Sequence, residues 1–416
     1  MNERSAVAPS SDAKSHCYFY GYIIVIVAFL LSILGWGTFY VYGVFFNPLV
    51  KEFAWTRATT SGAFSSSILV AGIVGIVAGR ISDHIGPKKI LVVCTFVLGV
   101  GYILMSTIHN IWQFYLIYGI LVAFGVGGFW APAVSTVARW FVGKRGLMTG
   151  IVSGGISFGT LVLPPILAQL IAFYDWRVTY IIMGVAVMIL GVIAAQFLRS
   201  SPQTMGLSPQ GLTSSKINYQ STGDGYSLKE ALSTWQFWMV CAIYLFFGLF
   251  QFIAIVHIVP YAQDMQVSAV KAAAILSIIG GLSLAGRIII GLITDKLRVK
   301  IAMIICLGGL TAAFIWLQFA DGLWKLYLYA VLFGFGYGGL SCLQALIAAE
   351  LFGLIAMGVI TAIFSFSYDI GGAVGPLLAG YIYDQFQSYH WAFLIALAAA
   401  VIALIMSLTL KSPGKK

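Results

Sequence analysis

The apolar residues of this chain form long continuous runs that are separated by short polar segments. About 20 apolar residues in succession are needed to cross the hydrocarbon core of a membrane as a helix. Apolar and polar positions do not alternate with a period of two, so the pattern favours helices over membrane β-strands. Twelve runs are long enough, at residues 20–46, 59–79, 90–107, 112–137, 147–173, 178–198, 235–262, 269–293, 301–320, 323–348, 356–381 and 391–410. The sequence therefore predicts an all-α membrane protein with twelve transmembrane helices.

A single long polar stretch, residues 199–228, lies between the sixth and seventh runs. It is rich in Ser, Gln, Gly and Thr and contains Pro202 and Pro209, a composition typical of linkers. We therefore predict an N-terminal six-helix bundle over 1–198, a linker over 199–230 and a C-terminal six-helix bundle over 231–416. A short polar tail is expected at each end of the chain.

The two halves share a pattern of glycine, aspartate and proline positions. The pairs at an offset of 212 residues are Gly79 and Gly291, Asp83 and Asp295, and Pro164 and Pro376. The pairs at an offset of 211 residues are Gly125 and Gly336, Gly127 and Gly338, and Gly128 and Gly339. A nearly constant offset in three regions indicates an internal repeat in the same orientation, as in two-lobed secondary transporters. The two bundles are therefore expected to be pseudo-symmetric.

Composition supports the membrane assignment, because 60% of the residues are hydrophobic and only 9% are charged. Soluble domains contain about 25% charged residues. The backbone of a chain in lipid must satisfy its hydrogen bonds internally, as these helices would. The 46 glycines fit the same picture, since small residues let helices in a membrane approach closely.

The basic charge of the chain is unevenly distributed between the two sides of the predicted bundle. Of the 23 lysines and arginines, seventeen fall in the end segments and even-numbered loops and five in the odd-numbered loops. Cationic loops remain in the cytoplasm. Both termini and the linker are therefore expected to be cytoplasmic, in a protein of the plasma (inner) membrane. This bias explains the net charge of +10 without a nucleic-acid partner.

The sequence offers little for catalysis or metal binding. The cysteines are scattered and form no CxxC pair; they are Cys17, Cys94, Cys241, Cys306 and Cys342. No cluster of His, Cys, Asp or Glu has the spacing that a catalytic or metal site needs. We therefore expect neither an enzyme nor a cofactor or metal.

The loop after the second run carries a recognisable motif, GRISDHIGPKK at residues 79–89. It resembles the GxxxDxxGxxK cytoplasmic loop signature of the major facilitator superfamily, whose members have the two-lobed fold. The resemblance implies a conformational latch, in which Asp83 at a helix end pairs with basic residues. Its candidate residues are Gly79, Asp83, Lys88 and the repeat-related Asp295. The alternative is an ordinary charged turn with a glycine.

Within that superfamily the chain resembles the monocarboxylate porters and the oxalate–formate exchangers. The segments that carry the resemblance are GVFF at 43–46 with KEF at 51–53, FVGKRGL at 141–147 with Gly150 and Gly154, VPYA at 259–262, LFG at 351–353, GP at 375–376, AG at 379–380 and SY at 388–389. Two positions depart from the animal porters. Tyr40 stands where they have a lysine, and Ser283 where they have an aspartate. Their proton-coupling scheme therefore does not transfer directly.

Two charged residues are predicted to lie deep in the membrane, Arg287 in the eighth run and Asp369 in the eleventh. A charge at that depth costs at least about 3 kcal/mol and points to a function. Arginine binds a carboxylate through two parallel hydrogen bonds and stays charged, so Arg287 is the expected anchor for an anionic substrate. The alternatives are a permanent structural pair with Asp369, or a pair that substrate or a proton releases.

Asp369 is a candidate for binding the coupled proton, because a buried carboxyl group without a cationic partner is readily protonated. A structural hydrogen bond inside the bundle is the alternative. Relatives that carry dicarboxylates have a second cation in this region. With one cation available, a monocarboxylate is favoured over oxalate.

Further candidate residues lie near the predicted mid-depth. Tyr40, Tyr337, Ser341 and Tyr368 are expected to contact the substrate, with Gln251 as another candidate. The rings that would bound an apolar chain are those of Phe335, Phe364 and Phe366. Packing inside the bundle is the alternative for these aromatics. His257 is expected to line an outer vestibule and titrate, or to be a satisfied interface histidine.

These observations predict an alternating-access carrier for a small organic anion, a monocarboxylate similar to lactate or pyruvate, with proton symport. Anion exchange of the oxalate–formate type is the first alternative. An anion channel or a membrane sensor is the alternative from another class. A channel would favour a continuous polar path, and a sensor would usually have a soluble output domain. The expected partners are the anion, the proton and the lipid bilayer.

Overall fold

The computed structural model describes residues 15–141, 144–205, 225–294, 297–353 and 355–411. Within these residues, twelve helices are long and apolar enough to cross a membrane, which confirms the predicted number. We label them α1 Tyr20–Phe53, α2 Arg57–Ile85, α3 Pro87–Met105, α4 Ile111–Trp140, α5 Arg145–Tyr174, α6 Trp176–Gln196, α7 Trp235–Asp264, α8 Ala269–Thr294, α9 Val299–Leu317, α10 Leu323–Phe352, α11 Met357–Phe386 and α12 His390–Thr409.

Four helices end at least four residues beyond the apolar runs that predicted them: α1, α2, α10 and α11. Each ends at a residue with a positive φ, namely Ala54, Gly86, Gly353 and Gln387. Helices commonly end at such a residue, because it turns the chain away from the helix axis. The ends of the apolar runs mark where the hydrocarbon stops, whereas backbone hydrogen bonds continue until a residue of this kind is reached.

Two of the helices are irregular near their middle. In α1, a π-helical segment Ile33–Gly37 is followed by a break at Tyr40 and Val41. In α4, the π-helical segment Tyr115–Val122 is followed by a turn at Gly128. Irregular backbone at membrane depth is tolerated where it is buried in protein or lines a cavity, and π segments are frequent at functional sites.

The helices form two lobes, an N-lobe of α1–α6 and a C-lobe of α7–α12. The main contacts between the lobes are α2 against α11 and α5 against α8. These two contacts are equivalent under the repeat, because each joins the second helix of one lobe to the fifth helix of the other. Glycines permit the close approach: a Cβ on Gly280 would lie 2.4 Å from the backbone nitrogen of Leu161, and one on Gly380 would lie 2.6 Å from the carbonyl oxygen of Arg57.

The described ends of the linker lie against different lobes. The indole nitrogen of Trp140 donates to the carbonyl oxygen of Arg199 in the N-lobe. The backbone nitrogen of Tyr226 donates to the carbonyl oxygen of Phe352 in the C-lobe. The domain boundaries at 198 and 231 stay a prediction.

Because the described chain crosses twelve times, its two ends lie on one side, here called the terminus side; the opposite side is the loop side. The lobes are joined on the loop side. In contrast, α5 and α8 separate toward the terminus side. A Cβ on Gly154 would lie 2.9 Å from Leu284, whereas a Cβ on Gly150 or Gly291, further along the same faces, would meet no atom within 4 Å. The conformation is therefore closed on the loop side and opens toward the terminus side.

Replacing Gly248 by alanine should destabilise the C-lobe. A Cβ there would lie 2.0 Å from the carbonyl oxygen of Tyr368, so α7 and α11 would have to separate. Overpacking of this kind costs about 1–3 kcal/mol. Thermal unfolding of the purified protein in detergent should show a lower midpoint. The matched control is Gly309→Ala, because a Cβ there meets no atom within 4 Å. Equal midpoints for the two variants would contradict this packing.

Candidate functional site

Close packing of α8 against α10 places Arg287 beside Tyr337. A Cβ on Gly286 would lie 2.2 Å from the carbonyl oxygen of Phe335, and one on Gly338 would lie 2.0 Å from that of Ser283. No other residue type fits at these two crossing points. The guanidinium carbon of Arg287 lies 5.9 Å from the centre of the Tyr337 ring. The helices thus hold a cation at the face of an aromatic ring.

The charge of Arg287 has no counter-charge among the described residues. No ion pair within 4.0 Å involves it among the pairs formed by the described residues. Its Nε atom is sealed from solvent and has no hydrogen-bond partner, while the residue as a whole is half-buried. A buried cation with unsatisfied donors is costly unless an anion completes it. The arrangement is therefore suited to receive a negatively charged group.

Three tyrosines from both lobes form a series of contacts that begins at this cation. Tyr40 lies at the break in α1, Tyr337 on α10 and Tyr368 on α11. The Tyr337 hydroxyl interacts with Arg287 and with Tyr40, and the Tyr40 hydroxyl interacts with Tyr368. Phenolic hydroxyls both donate and accept hydrogen bonds, so they can bind a carboxylate or a substrate hydroxyl. The site thus joins the first helix of the N-lobe to the C-lobe.

Aromatic rings of α7 form one wall of this site. The Phe247 ring lies 5.3 Å from that of Tyr368, and the Phe252 ring lies 5.7 Å from that of Tyr40. Trp36, one turn before Tyr40, was not a sequence candidate. Its ring lies 5.9 Å from that of Tyr40, and its buried indole nitrogen has no hydrogen-bond partner. Its helical spacing from Tyr40 was the signal that could have identified it.

Asp369 lies on α11 where this helix faces α2 of the other lobe. A Cβ on Gly72 would lie 2.9 Å from the Asp369 Oδ2 atom, so glycine leaves the room that the carboxyl group occupies. The residue is half-buried, and within the described residues no donor bonds to it and no ion pair joins it to Arg287. The permanent Arg287–Asp369 pair considered above is therefore not formed in this conformation. Tyr40 interacts electrostatically with both charges.

Two other predicted polar residues differ in their free bonding capacity. The Ser341 hydroxyl donates to the carbonyl oxygen of Tyr337 in its own helix, 2.8 Å away, and so has little left to offer a ligand as a donor. Gln251 on α7 is fully buried, and neither its amide oxygen nor its amide nitrogen has a partner. Gln251 therefore remains a candidate for a polar contact that forms later in the cycle.

The structure places two of the three predicted phenylalanines away from the site and corrects that expectation for these two. Phe364 is fully buried among Phe237, Tyr244 and Phe352, so it packs within the C-lobe. Phe366 is 42% exposed and falls in an exposed stripe of α11 with helical spacing, at Phe366, Ile370, Leu377 and Tyr381. Phe335 precedes Tyr337 by two residues in α10, and its contact with an apolar part of the substrate stays a prediction.

The loop-side contact between the lobes contains His257, which is fully buried. It is bonded to Ser61, Tyr389 and the carbonyl oxygen of Pro376. It is therefore a satisfied interface histidine in this conformation and does not line an accessible vestibule. Arg57, which the sequence marked only as a loop cation, is the centre of the same contact. Its guanidinium binds Asp264 at 2.7 Å.

The predicted latch on the terminus side stays a prediction. Asp295 and the side chain of Asp83 lie outside the described residues. Gly79 faces α4, where a Cβ would lie 3.4 Å from that of Ala131, so glycine allows close packing of these two helices. Lys88 is half-exposed near the start of α3.

Two lobes of six helices, which meet at a charged site near mid-depth, define a two-lobed membrane transporter. Residues 25–376 match the sequence family described as Major Facilitator Superfamily. The chain therefore belongs to the Major Facilitator Superfamily.

The chain is similar over most of its length to several known proteins. It is 25% identical over 403 residues to monocarboxylate transporter 12 of Xenopus laevis, covering 91% of this chain and 85% of that protein. It is 25% identical over 385 residues to monocarboxylate transporter 13 of Rattus norvegicus, covering 91% and 86%. It is 24% identical over 352 residues to the uncharacterized MFS-type transporter YhjX of Escherichia coli K12, covering 80% and 81%.

A solved structure shares the fold. It is a bacterial homologue of the human lysosomal transporter Spinster in an inward-facing and unoccupied conformation, with a TM-score of 0.72 and 15% sequence identity. The similarity covers 96% of this chain and 98% of that one.

If Arg287 anchors a carboxylate, small monocarboxylates should stabilise the folded protein and Arg287→Lys should abolish the effect. A ligand at 100 times its Kd adds about 2.7 kcal/mol of stability. Lysine keeps the charge but lacks the planar fork that binds a carboxylate twice. The measurement is the thermal unfolding midpoint with acetate, lactate and pyruvate. The matched control is Ser341→Ala, which should keep the shift because its hydroxyl is already bonded within α10. An undiminished shift in Arg287→Lys would rule out the anchor.

Proposed function

We propose that this protein is a secondary active transporter that carries a small monocarboxylate by alternating access, with proton symport. The observation that supports this most strongly is the guanidinium of Arg287, which has no ion-pair partner among the described residues. The hydroxyl of Tyr337 interacts with it, and the hydroxyl of Tyr40 interacts in turn with that of Tyr337. One cation fits one carboxylate, and the phenols supply hydrogen bonds around it. Relatives named as monocarboxylate transporters support the same substrate class.

Alternating access is supported by the position of the site relative to the contacts between the lobes. On the loop side Arg57, Asp264 and His257 close the space between the lobes, while α5 and α8 separate toward the terminus side. A substrate bound at Arg287 would therefore be released on the terminus side in this conformation. The distribution of lysine and arginine supports a cytoplasmic position for that side. The protein is thus proposed to be inward-open here, in the plasma (inner) membrane.

Asp369 is the proposed site of the coupled proton. Its carboxyl group touches α2 across the contact between the lobes and has no cationic partner among the described residues. A protonated carboxyl group would tolerate this apolar contact, whereas a carboxylate would favour separation of α2 from α11. Protonation of Asp369 would thereby be linked to the relative position of the lobes.

Purified protein in liposomes should accumulate labelled lactate or pyruvate when a proton gradient directed inward is imposed. Proton symport predicts uptake that rises with the gradient and collapses when a protonophore dissipates it. Uptake that depends only on anion loaded inside the vesicles would support exchange instead. Flux that does not saturate with substrate and does not show counterflow would support a channel.

Asp369→Asn should separate substrate movement from the proton gradient. The amide keeps the shape of the protonated acid but does not ionise, so the variant should retain lactate counterflow and lose accumulation driven by the gradient. The two activities are measured in the same vesicles. Asp321→Asn is the matched control, because Asp321 lies in the α9–α10 loop, paired with Lys325, and should keep both activities. Accumulation by Asp369→Asn at the level of the unmodified protein would exclude this role.

A further inference from the structure

The closed loop-side gate is built around a chain of hydrogen bonds that His257 completes. Helix α7 contributes His257, α2 contributes Arg57, and Tyr389 precedes α12. The Arg57 Nη1 atom lies 2.6 Å from the Tyr389 hydroxyl, which lies 3.0 Å from the His257 Nδ1 atom. The His257 Nε2 atom lies 2.9 Å from the carbonyl oxygen of Pro376 on α11. The chain thus joins α2 of the N-lobe to three segments of the C-lobe.

The chemistry of the two ends fixes the direction of this chain. A guanidinium only donates hydrogen bonds, and a backbone carbonyl only accepts them. Arg57 therefore donates to the Tyr389 oxygen, and the His257 Nε2 atom must carry a hydrogen that it donates to Pro376. The Tyr389 oxygen accepts from Arg57 and keeps one hydrogen of its own, which His257 Nδ1 accepts when the imidazole is neutral. This arrangement pairs every donor and acceptor of the chain, and a neutral ring is the form that burial without solvent exposure favours, so we assign the neutral imidazole to the closed gate.

Ser61 on α2 agrees with this direction. Its hydroxyl donates to the carbonyl oxygen of Arg57 at 2.7 Å. Its oxygen therefore faces the His257 Nε2 atom, 3.2 Å away, as an acceptor of the same Nε2 hydrogen. Neither the contact with Ser61 nor the contact with Pro376 requires a proton at Nδ1.

A second proton on His257 would conflict with these contacts. An Nδ1 hydrogen would point at the hydrogen that Tyr389 now donates. It would also create a second cation near the Arg57 guanidinium, in a place where His257 has no solvent exposure. On the α1 side, the apolar ring of Phe46 is centred 5.3 Å from the imidazole and cannot stabilise the charge by an ion pair.

The acidic groups that face this region are already engaged. Asp264 on α7 binds the Arg57 Nη2 atom at 2.7 Å. Asp384 on α11 accepts from the backbone nitrogens of Arg57 and Ala58, at the start of α2. The Tyr383 ring lies under the guanidinium, 3.7 Å from its carbon. Among the described residues, neither of these carboxylates is bonded to the His257 ring while the gate is closed.

We propose that His257 is a proton-binding site of the loop-side gate, and that binding of a proton to it opens this gate. The closed gate requires neutral imidazole, whereas an open gate exposes the ring to water, where histidine has an ordinary pKa of about 6.5. The open state therefore binds more protons, so a fall in pH below about 6.5 favours it and a rise above that value does not. A low pH on the loop side would therefore favour the conformation that is open to that side, from which substrate can bind.

This inference rests on the alternating access proposed above but not on the substrate or on Asp369. It can be tested without any substrate by measuring the distance between the lobes. Lys51 at the end of α1 and Lys271 at the start of α8 are both exposed on the loop side. Cysteines at these two positions, in a variant whose five native cysteines are replaced, would carry spin labels for pulsed electron paramagnetic resonance in nanodiscs.

A longer distance should appear and grow as the pH falls from about 8 to about 5.5, by at most about tenfold in population ratio per pH unit for one proton. The distances are measured in an Asp369→Asn background, because protonation of Asp369 is itself proposed to affect the position of the lobes. In that background, His257→Gln should show distances that do not change with pH, because the amide keeps a donor and an acceptor but does not titrate. His390→Gln is the matched control: His390 is exposed beside Tyr389, and its loss should leave the pH response intact. A distance distribution that ignores pH in the Asp369→Asn background with His257 intact, or one that responds equally in His257→Gln, would overturn the proposal.

Tyr389→Phe provides a second test should His257→Gln fail to fold. The substitution removes the hydroxyl whose hydrogen conflicts with a proton on His257 Nδ1, and it also removes a hydrogen bond of the closed gate. The gate should therefore be more open at pH about 8, and its response to pH should be weaker. An unchanged response would also contradict the proposal. A gate that follows pH in a protein without lactate or pyruvate uptake would refute the proposed substrate and leave this inference standing.

Discussion

The structure depends on one unbalanced charge held in a low-dielectric bundle. A cation at the membrane centre costs at least about 3 kcal/mol, and Arg287 recovers none of this through an ion pair with a described residue. Several features of the fold nevertheless position Arg287 and its neighbours. Gly286 and Gly338 let α8 and α10 touch, and the break in α1 brings Tyr40 from the opposite lobe to the same place. A site that is completed only by an anion, and by both lobes together, links ligand binding to the relative position of the lobes.

The contacts between the lobes are unequal on the two sides of this site. On the loop side Asp384 accepts from the first two backbone nitrogens of α2, where the helix dipole favours a negative charge. Arg57 is at the same time bonded to Asp264 and Tyr389. These are polar interactions that water can replace, unlike the glycine contacts near mid-depth. A closure of this kind can open without repacking an apolar core, which suits a part of the molecule that must form and break in each cycle.

The sequence was sufficient to predict the number of helices and the presence of a cation inside a membrane span, because both depend on local composition. Continuous apolar runs specify spans, and a lone arginine inside one is informative by itself. It was not sufficient for helix ends at Ala54 and Gln387, since neither residue type signals a positive φ. The sequence did not predict the roles of Arg57 and Trp36, or the distance of Phe364 and Phe366 from the site. These features depend on which surfaces of the helices contact each other. That information is set by packing between distant segments and cannot be read from one run alone.

The most direct test of the central claim is an experimental structure of the protein with a bound monocarboxylate such as pyruvate. The account predicts density for the carboxylate between the lobes, with its oxygens at about 2.7–2.9 Å from the Arg287 guanidinium nitrogens. A ligand bound elsewhere while Arg287 remains without an anion, or Arg287 paired with Asp369 in the loaded state, would contradict it.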